Sequence, residues 1–481
     1  MSQRTDVTYE HLAIEPFELV TLNELIITKK INEHGTLYFT GEIPESVKDE
    51  YVLKADFGTP VAVVQNKDSE TKILFNGIIK DIGVKMEGSR YYLSVNAVTG
   101  TYLMDIQIKS RSFQDNNMMY SNLVEKITKE HDGGAVIFMP EDKTLSQFTI
   151  QYRETDWEFV KRMASRFNEG LYPDFRFDSP KYFFGKPDFS NKEKVKLEEI
   201  AFMIRKNMSD FRHITTNFIP RNTHKDYISY EVETFHQLEL GEGVLYRDNE
   251  LFVRRVSMQM VRGILQNIYY LSPINGLKQP EIKNMSLQGV AISGNVIDIR
   301  RDQIKVHMHE IDESQDIATA HWFCFQAMYA SKDGSGFYCM PEFGDIVRIG
   351  FPNNEEAGAF AVSSVSSYNP QTDDPEEDRM GNHEVRYIRN PQGMEVTLTP
   401  EEVIISANGA GVIIMDEKGK INIYATQKLA FSSGKEILLS AGESINITAS
   451  DNINITCGEL AEIKLNDGGI TKFLGSEVFT N

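Results

Sequence analysis

Residues 420–459, KINIYATQKLAFSSGKEILLSAGESINITASDNINITCGE, divide into blocks of eight. Place two of the blocks holds Ile421, Leu429, Ile437, Ile445 and Ile453, and place four holds Ile423, Phe431, Leu439, Ile447 and Ile455. Place six is smaller, with Ala425, Ser433, Ala441, Ala449 and Cys457. The register continues into LAEIKLND, with Ile463 at place four and Leu465 at place six. Apolar residues two apart, with polar residues between, have the period of a strand with one buried face. Gly434, Gly442, Ser450 and Gly458 then bend the chain before the next strand.

Each octad thus reads as a short strand and a bend. Eight residues reach at most about 26 Å, too little to wrap a coil of a single-chain β-helix around a core of its own. One chain can lay down one wall with one apolar face, and that face must meet other walls. Identical copies in a closed symmetry supply them. The expectation is an intertwined oligomeric needle over 384–469, its core built from the place-two and place-four residues and Ile463. The alternative is a meander that folds back within the chain. Upstream, 395–419 alternates without keeping a strict eight. Its NGAGV (408–412) lacks the Lys-Ser/Thr ending of a phosphate loop and reads as a turn.

The whole chain has 481 residues, 41% hydrophobic and 25% charged, room for roughly three or four globular domains. The start, MSQRTDVTYEHLAIEP, is polar and acidic, unlike a secretory signal. No apolar run approaches the roughly 18 residues of a membrane helix. The expectation is a soluble protein made in the cytoplasm. Cys324, Cys339 and Cys457 are its only cysteines, which argues against a disulfide framework. A net charge of −20 speaks against a general nucleic-acid binder.

Residues 283–369 contain five short runs rich in β-branched and aromatic residues: GVAISGNVIDI, DQIKVHMHEI, AHWFCFQAMYA, GFYCMPEFGDIVRIGF and GAFAVSSVSSYN. Five such strands suit a small closed barrel of the OB type. Residues 370–383, with Asp373, Asp374, Glu376, Glu377 and Asp378, read as an acidic linker. Residues 1–280 mix strands with a few helices. SNLVEKITKEH spaces Leu123, Val124 and Ile127 as a helix does. ETDWEFVKRMASRFNEG opens with a Thr155/Glu158 capping box, buries Phe159, Val160, Met163 and Phe167, and offers Gly170 as the glycine that ends the helix.

FTIQYRETDWEFVKRMASRFNEGLYPDF (148–175) resembles a signature of the VgrG spike proteins of type VI secretion and of contractile phage-tail hubs. It is carried here by Gln151, Tyr152, Glu154, Thr155, Asp156, Phe159, Arg162, Gly170 and Tyr172. FNGIIKDIG, YYLSVNAVTGTYLMD and SRSFQD (110–115) are similar to the preceding hub strands. GFYCMPEFGDIVRIGF with SSVSSYNP is similar to the family's OB signature, and the octads to its triple-stranded β-helix needle. The resemblance implies a mainly β chain with few helices: a tail-hub domain of tube-like barrels at 1–280, an OB domain at 283–369, the linker, a trimeric needle at 384–469 and a tip at 470–481. It implies a homotrimer that caps the tail tube, contacts tube and baseplate proteins, carries effectors in some members, and meets a target membrane only on firing. It also implies a PAAR-like tip protein, seated here on Ile470, Phe473, Leu474, Val478 and Phe479. Such a chain is assembled into an injection particle and leaves the cell on firing.

Catalytic readings are weaker than structural ones. His307 and His309 in VHMHE are the metal candidates, two ligands where a closed shell needs about four. Cys324 and Cys339 read as core residues and Cys457 as an inward octad residue. Glu154 and Asp156 could pass for a glycosidase pair, but they sit at a helix start, where carboxylates complement the dipole. The interval between barrel and needle leaves no room for a lysozyme domain, so no enzyme and no cofactor are expected. The competing readings are a trimeric receptor-binding fibre or adhesin, a spike with peptidoglycan hydrolase activity, and a nucleic-acid-binding OB protein, for which 283–369 offers few Lys or Arg.

Overall fold

The structure is a computed structural model. It describes residues 7–67, 70–366, 368, 378–458, 461–466, 468–469 and 471–474. The chain divides into two compact units, Met1–Ser367 and Tyr368–Asn481. It is mainly β with a few short helices.

In the first unit, one large antiparallel sheet draws its strands from residues 12–98 and 201–272. Its first six strands, in spatial order, are Leu12–Glu15, Pro60–Lys67, Glu70–Glu87, Arg90–Val98, Glu33–Ile43 and Thr21–Lys30. The last of these pairs with Asn249–Val261, placing Ile27 opposite Met258. The sheet then continues through Ile264–Ser272, Ile228–Thr234 and Ala201–Lys206, with Gly243–Tyr246 paired to Asn249–Val261. Alternation builds the core, because residues two apart share a face. Leu25 and Ile27, Leu37 and Phe39, and Leu93 and Val95 are all buried in one core cluster that also contains Val253, Val256 and Tyr269.

Residues 100–184 form an insert with a core of its own. The helices Tyr120–Thr128 and Asp156–Ser165 lie in the expected places. Leu123, Val124 and Ile127 are buried on the first, and Phe159, Val160 and Met163 on the second. Thr155 accepts from the Glu158 amide at 3.1 Å and Glu158 accepts from the Thr155 amide at 3.0 Å, which completes the capping box. The helix stop differs from expectation. Asn168, with φ of 54°, takes the left-handed position, where an Asn is tolerated. Gly170 is small for another reason: a Cβ there would lie 2.4 Å from Cγ2 of Ile31.

The five strands expected between 283 and 369 are Ala291–Arg300, Gln303–His307, Trp322–Cys324, Ile346–Gly350 and Phe360–Val365. A bridge from Phe325 to Ala361 brings the two ends of this sheet together, making a closed barrel. The barrel core is not self-contained. Phe148 and Ile150, from the insert, are buried in it beside Phe323, Phe351 and Val347. Cys324 and Cys339, read from sequence as core residues, are exposed. In the strand Trp322–Cys324, Phe323 takes the inward place, so period two turns its neighbour out.

The second unit holds two antiparallel meanders. One runs through Arg386–Arg389, Met394–Leu398, Glu402–Ala407, Gly411–Asp416 and Ile421–Ala425. The NGAGV segment is its turn, with φ of 50° at Asn408 and 77° at Gly409. The other joins Asn452–Cys457, Ala461–Asn466 and Thr471–Leu474. Residues 426–451, the middle octads, form no strand or helix.

The insert opens on a tight approach of two backbone segments. A Cβ on Gly100 would sit 2.0 Å from the carbonyl oxygen of Asp178. Gly100→Ala is therefore expected to cost about 1–3 kcal/mol. The control Gly83→Ala adds a methyl that meets only Ser94 Oγ, at 3.5 Å, and should leave the melting temperature within about 1 °C. Differential scanning calorimetry of the two variants checks the contrast.

Candidate functional site

The polar residues of the QYRETD segment do not line an open cleft. They assemble two buried charge networks, one that fastens the insert to the barrel and one within the insert itself. Arg162 projects from the inward face of its helix and is 2% exposed. Its Nε and Nη2 donate to the two carboxylate oxygens of Glu154 at 2.8 and 2.7 Å. Nη1 reaches Glu356 of the barrel at 3.1 Å, and Nη2 also donates to the Ile150 carbonyl at 2.7 Å. Glu356 in turn accepts from the Ile150 amide at 3.0 Å and from Arg166. Burial alone would loosen the Arg162 proton, but the carboxylates of Glu356 and Glu154 outweigh it and hold the proton more tightly than usual. Burial likewise pushes the Glu356 carboxyl up, yet Arg162 and Arg166 bring it below its ordinary value.

The second network centres on Asp156, 1% exposed. It accepts from Lys109 at 2.6 Å, Arg111 at 2.7 Å, His131 at 2.8 Å and Gln151 at 2.9 Å. Burial opposes its ionisation, but hydrogen bonds from His131, Lys109 and Gln151 together with the Arg111 charge hold it well below the carboxylate range. Glu130 completes the set: burial pushes its carboxyl up, but Lys109 and Arg111 bring it down. Glu154 is thus held by the Arg162 fork, and Asp156 by four donors.

The SRSFQD strand adds a second attachment to the barrel. The Ser112 amide and hydroxyl donate to the Asp312 carboxylate at 2.8 and 2.6 Å. Gln114 donates to the Val306 carbonyl at 3.0 Å and accepts from the His321 amide at 3.1 Å.

The metal candidates are not brought together. His307 ends its strand and donates from Nε2 to the Asp312 carbonyl at 2.9 Å. His309 falls in the turn beyond, so the two do not project side by side from one strand. Among the described residues, no group of three or more His, Cys, Asp or Glu is placed to hold a metal ion. The octad residues are placed outward in the single chain. Ile421, Ile423, Leu429, Phe431, Ile437, Leu439, Ile445, Ile447 and Ile455 are exposed, while Ile453 and Ile463 are half-buried. Cys457 is exposed as well. Of the tip residues, Phe473 is exposed and Leu474 ends the last strand. Ile470, Val478 and Phe479 lie outside the described residues.

Glu356, Arg166, Lys109, Arg111 and His131 were not foreseen from sequence. One signal was present: Arg162 stands among the apolar residues of its helix, and a cation there needs a buried partner.

Breaking the first network should be severe. Arg162→Met strands two buried carboxylates, with an expected loss of about 3–5 kcal/mol. The acid response follows from the depressed carboxyls of Asp156, Glu130 and Glu356. Their folded pKa lies below the unfolded one, so their stabilisation is complete above about pH 4.5 and is lost as pH falls further. Melting temperatures from pH 7 to 3 should drop below that point, and Asp156→Asn should flatten the drop.

Two family models match the chain in order. Residues 35–184 match the phage tail baseplate hub (GPD), and residues 293–365 match the type VI secretion system/phage-baseplate injector OB domain. A sequence search finds no match among curated proteins. Among solved structures, the E. coli c3393 protein, a type VI secretion component similar to phage T4 tail proteins gp27 and gp5, is 12% identical. It aligns over 74% of this chain and 99% of its own, with a TM-score of 0.53. A chain of the half-lidded Francisella PdpA–VgrG complex is 10% identical over 88% of both chains, with a TM-score of 0.54. A chain of the lidded form is 9% identical over 84% of this chain and 76% of its own, also at 0.54. At these identities the likeness is one of fold. The chain thus carries a region that matches the baseplate-hub model followed by one that matches the injector OB model, on a fold similar to that of VgrG-type hub–spike proteins.

Proposed function

We propose that three copies of this chain form the hub and needle at the end of a contractile injection machine. The hub would rest on the tail tube and the needle would cross the target envelope. The observation that carries this reading is the row of bare octad residues. Ile, Leu and Phe at places two and four are exposed from Ile421 to Ile447, on a stretch whose middle has no strand partner within its own chain. Contiguous apolar surface of this kind marks a face meant for other chains. Each such side chain, once buried, contributes roughly 1.5–3 kcal/mol. A dozen on each of three chains would make separation very costly. The domains are then the hub at 1–280, the barrel at 283–369, the linker at 370–383, the needle at 384–469 and the tip at 470–481.

The role is mechanical and needs no catalytic group, and the use of Glu154 and Asp156 in buried structural ion pairs supports that reading. Tube and baseplate proteins would be its partners. The tip would carry a PAAR-like protein over its exposed strand edges, since open edges are normally covered. The protein would be built into the particle inside the cell and expelled on firing.

A second reading rests on the antiparallel pairing at both ends of the tail, where each strand finds its neighbour within one chain. On that reading the tail is a meander and the protein a monomeric binding module. Light scattering separates the two. A mass three times 54.8 kDa for the full chain, and weaker association for a chain ending at His383, is expected. A full-length monomer would overturn the needle.

A further inference from the structure

The sheet and its insert form an open cavity of about 510 Å³ that takes no part in the networks above. Lys29, on the strand Thr21–Lys30, is 2% exposed and lines it. Its ammonium lies 4.5 Å from the ring centre of Phe175. Gly35 makes that arrangement fit, since a Cβ there would fall 2.1 Å from the same ring.

The charges around the cavity do not cancel. Arg176 is tied to Asp174 at 2.8 and 2.5 Å, and Lys192 to Glu242 at 3.2 Å. Lys29 and Lys72 share one carboxylate, that of Glu239, at 3.4 and 3.6 Å. The Lys29 charge and, against burial, that of Lys72 bring the Glu239 carboxyl down to about 2, so it is anionic at neutral pH. Burial lowers the Lys29 pKa from its ordinary value, opposed by the Glu239 charge, and two lysine amines face this one carboxylate in a chain whose net charge is −20. An ammonium has three donors, and Lys29 spends one of them on a long bond. The remaining walls are apolar, with Phe175 and Phe189 among them. Tyr172, whose buried hydroxyl has no partner among the described residues, lines the same space.

We propose that this cavity binds a carboxylate carried on an apolar body, Lys29 and Lys72 holding the carboxylate and the aromatic walls enclosing the body. The volume lies within the range of small-ligand sites, about 300–1,000 Å³. A positive concavity on an acidic protein also concentrates anions. A free acid and the last residue of a polypeptide present the same group.

Saturation-transfer NMR on the full chain tests this with N-acetylphenylalanine and its neutral amide. The acid should bind saturably with a Kd on the order of 1 mM, and the amide up to about fivefold more weakly, as for one lost ion pair. Lys72, with its side chain 42% exposed, can be replaced without opening the core. Lys72→Ala should reduce the preference for the acid by up to about fivefold. An acetylated tripeptide ending in Phe separates the sources: tighter binding assigns the site to a chain terminus and weaker binding to a free acid, and both uphold the carboxylate. Equal binding of acid and amide, no binding of either up to about 10 mM, or an unchanged preference in Lys72→Ala would overturn the proposal.

Discussion

A guanidinium buried between two carboxylates holds the first unit together. Arg162 belongs to the insert, Glu154 to the strand before its helix and Glu356 to the barrel. Removing such ions from water is costly, and the return depends on good geometry with every donor filled. Here the fork meets Glu154 with two donors, Glu356 with a third and the Ile150 carbonyl as well. The gain is orientation more than raw stability, because a bidentate pair fixes angles that apolar packing leaves free. The helix Asp156–Ser165 is thereby fixed relative to the barrel, and the Asp156 network ties the start of the same helix to Lys109 and Arg111. For a protein proposed to carry force between a tube and a needle, this junction is where stiffness matters most.

Much of this was legible in the sequence for local reasons. Thr155 and Glu158 cap a helix by direct hydrogen bonds, a rule written within four residues. The barrel strands show in their alternation, and the order of hub and barrel motifs gives the family likeness. What stayed hidden depends on residues far apart in the chain. Glu356 is an ordinary acidic loop residue until Arg162, nearly two hundred positions earlier, lies beside it. The helix stop was misread because Asn168 and Gly170 both suit such a position, and the contact with Ile31 that demands a glycine at 170 is tertiary. Cys324 went to the wrong face because a three-residue strand gives alternation little to work on.

The tail shows the limit in a different form. Its octads are the most regular pattern in the chain, yet within one chain their apolar places remain bare. A period of two states which residues share a face, not which molecule covers it. The strict repeat is strongest in 426–451, the stretch with no ladder of its own, whereas the looser upstream segment pairs hairpin by hairpin.

The barrel core that takes in Phe148 and Ile150 has a bearing on how such proteins recombine. The visible seam, near residue 281, is not where the packing divides. A barrel transplanted at that seam onto another hub would arrive with a hole shaped for two side chains it left behind. Exchange should succeed only when the strand holding them travels too, or when the recipient already supplies an aromatic and a branched residue at the same places. The unit of inheritance is then the barrel together with a strand lying far upstream of it.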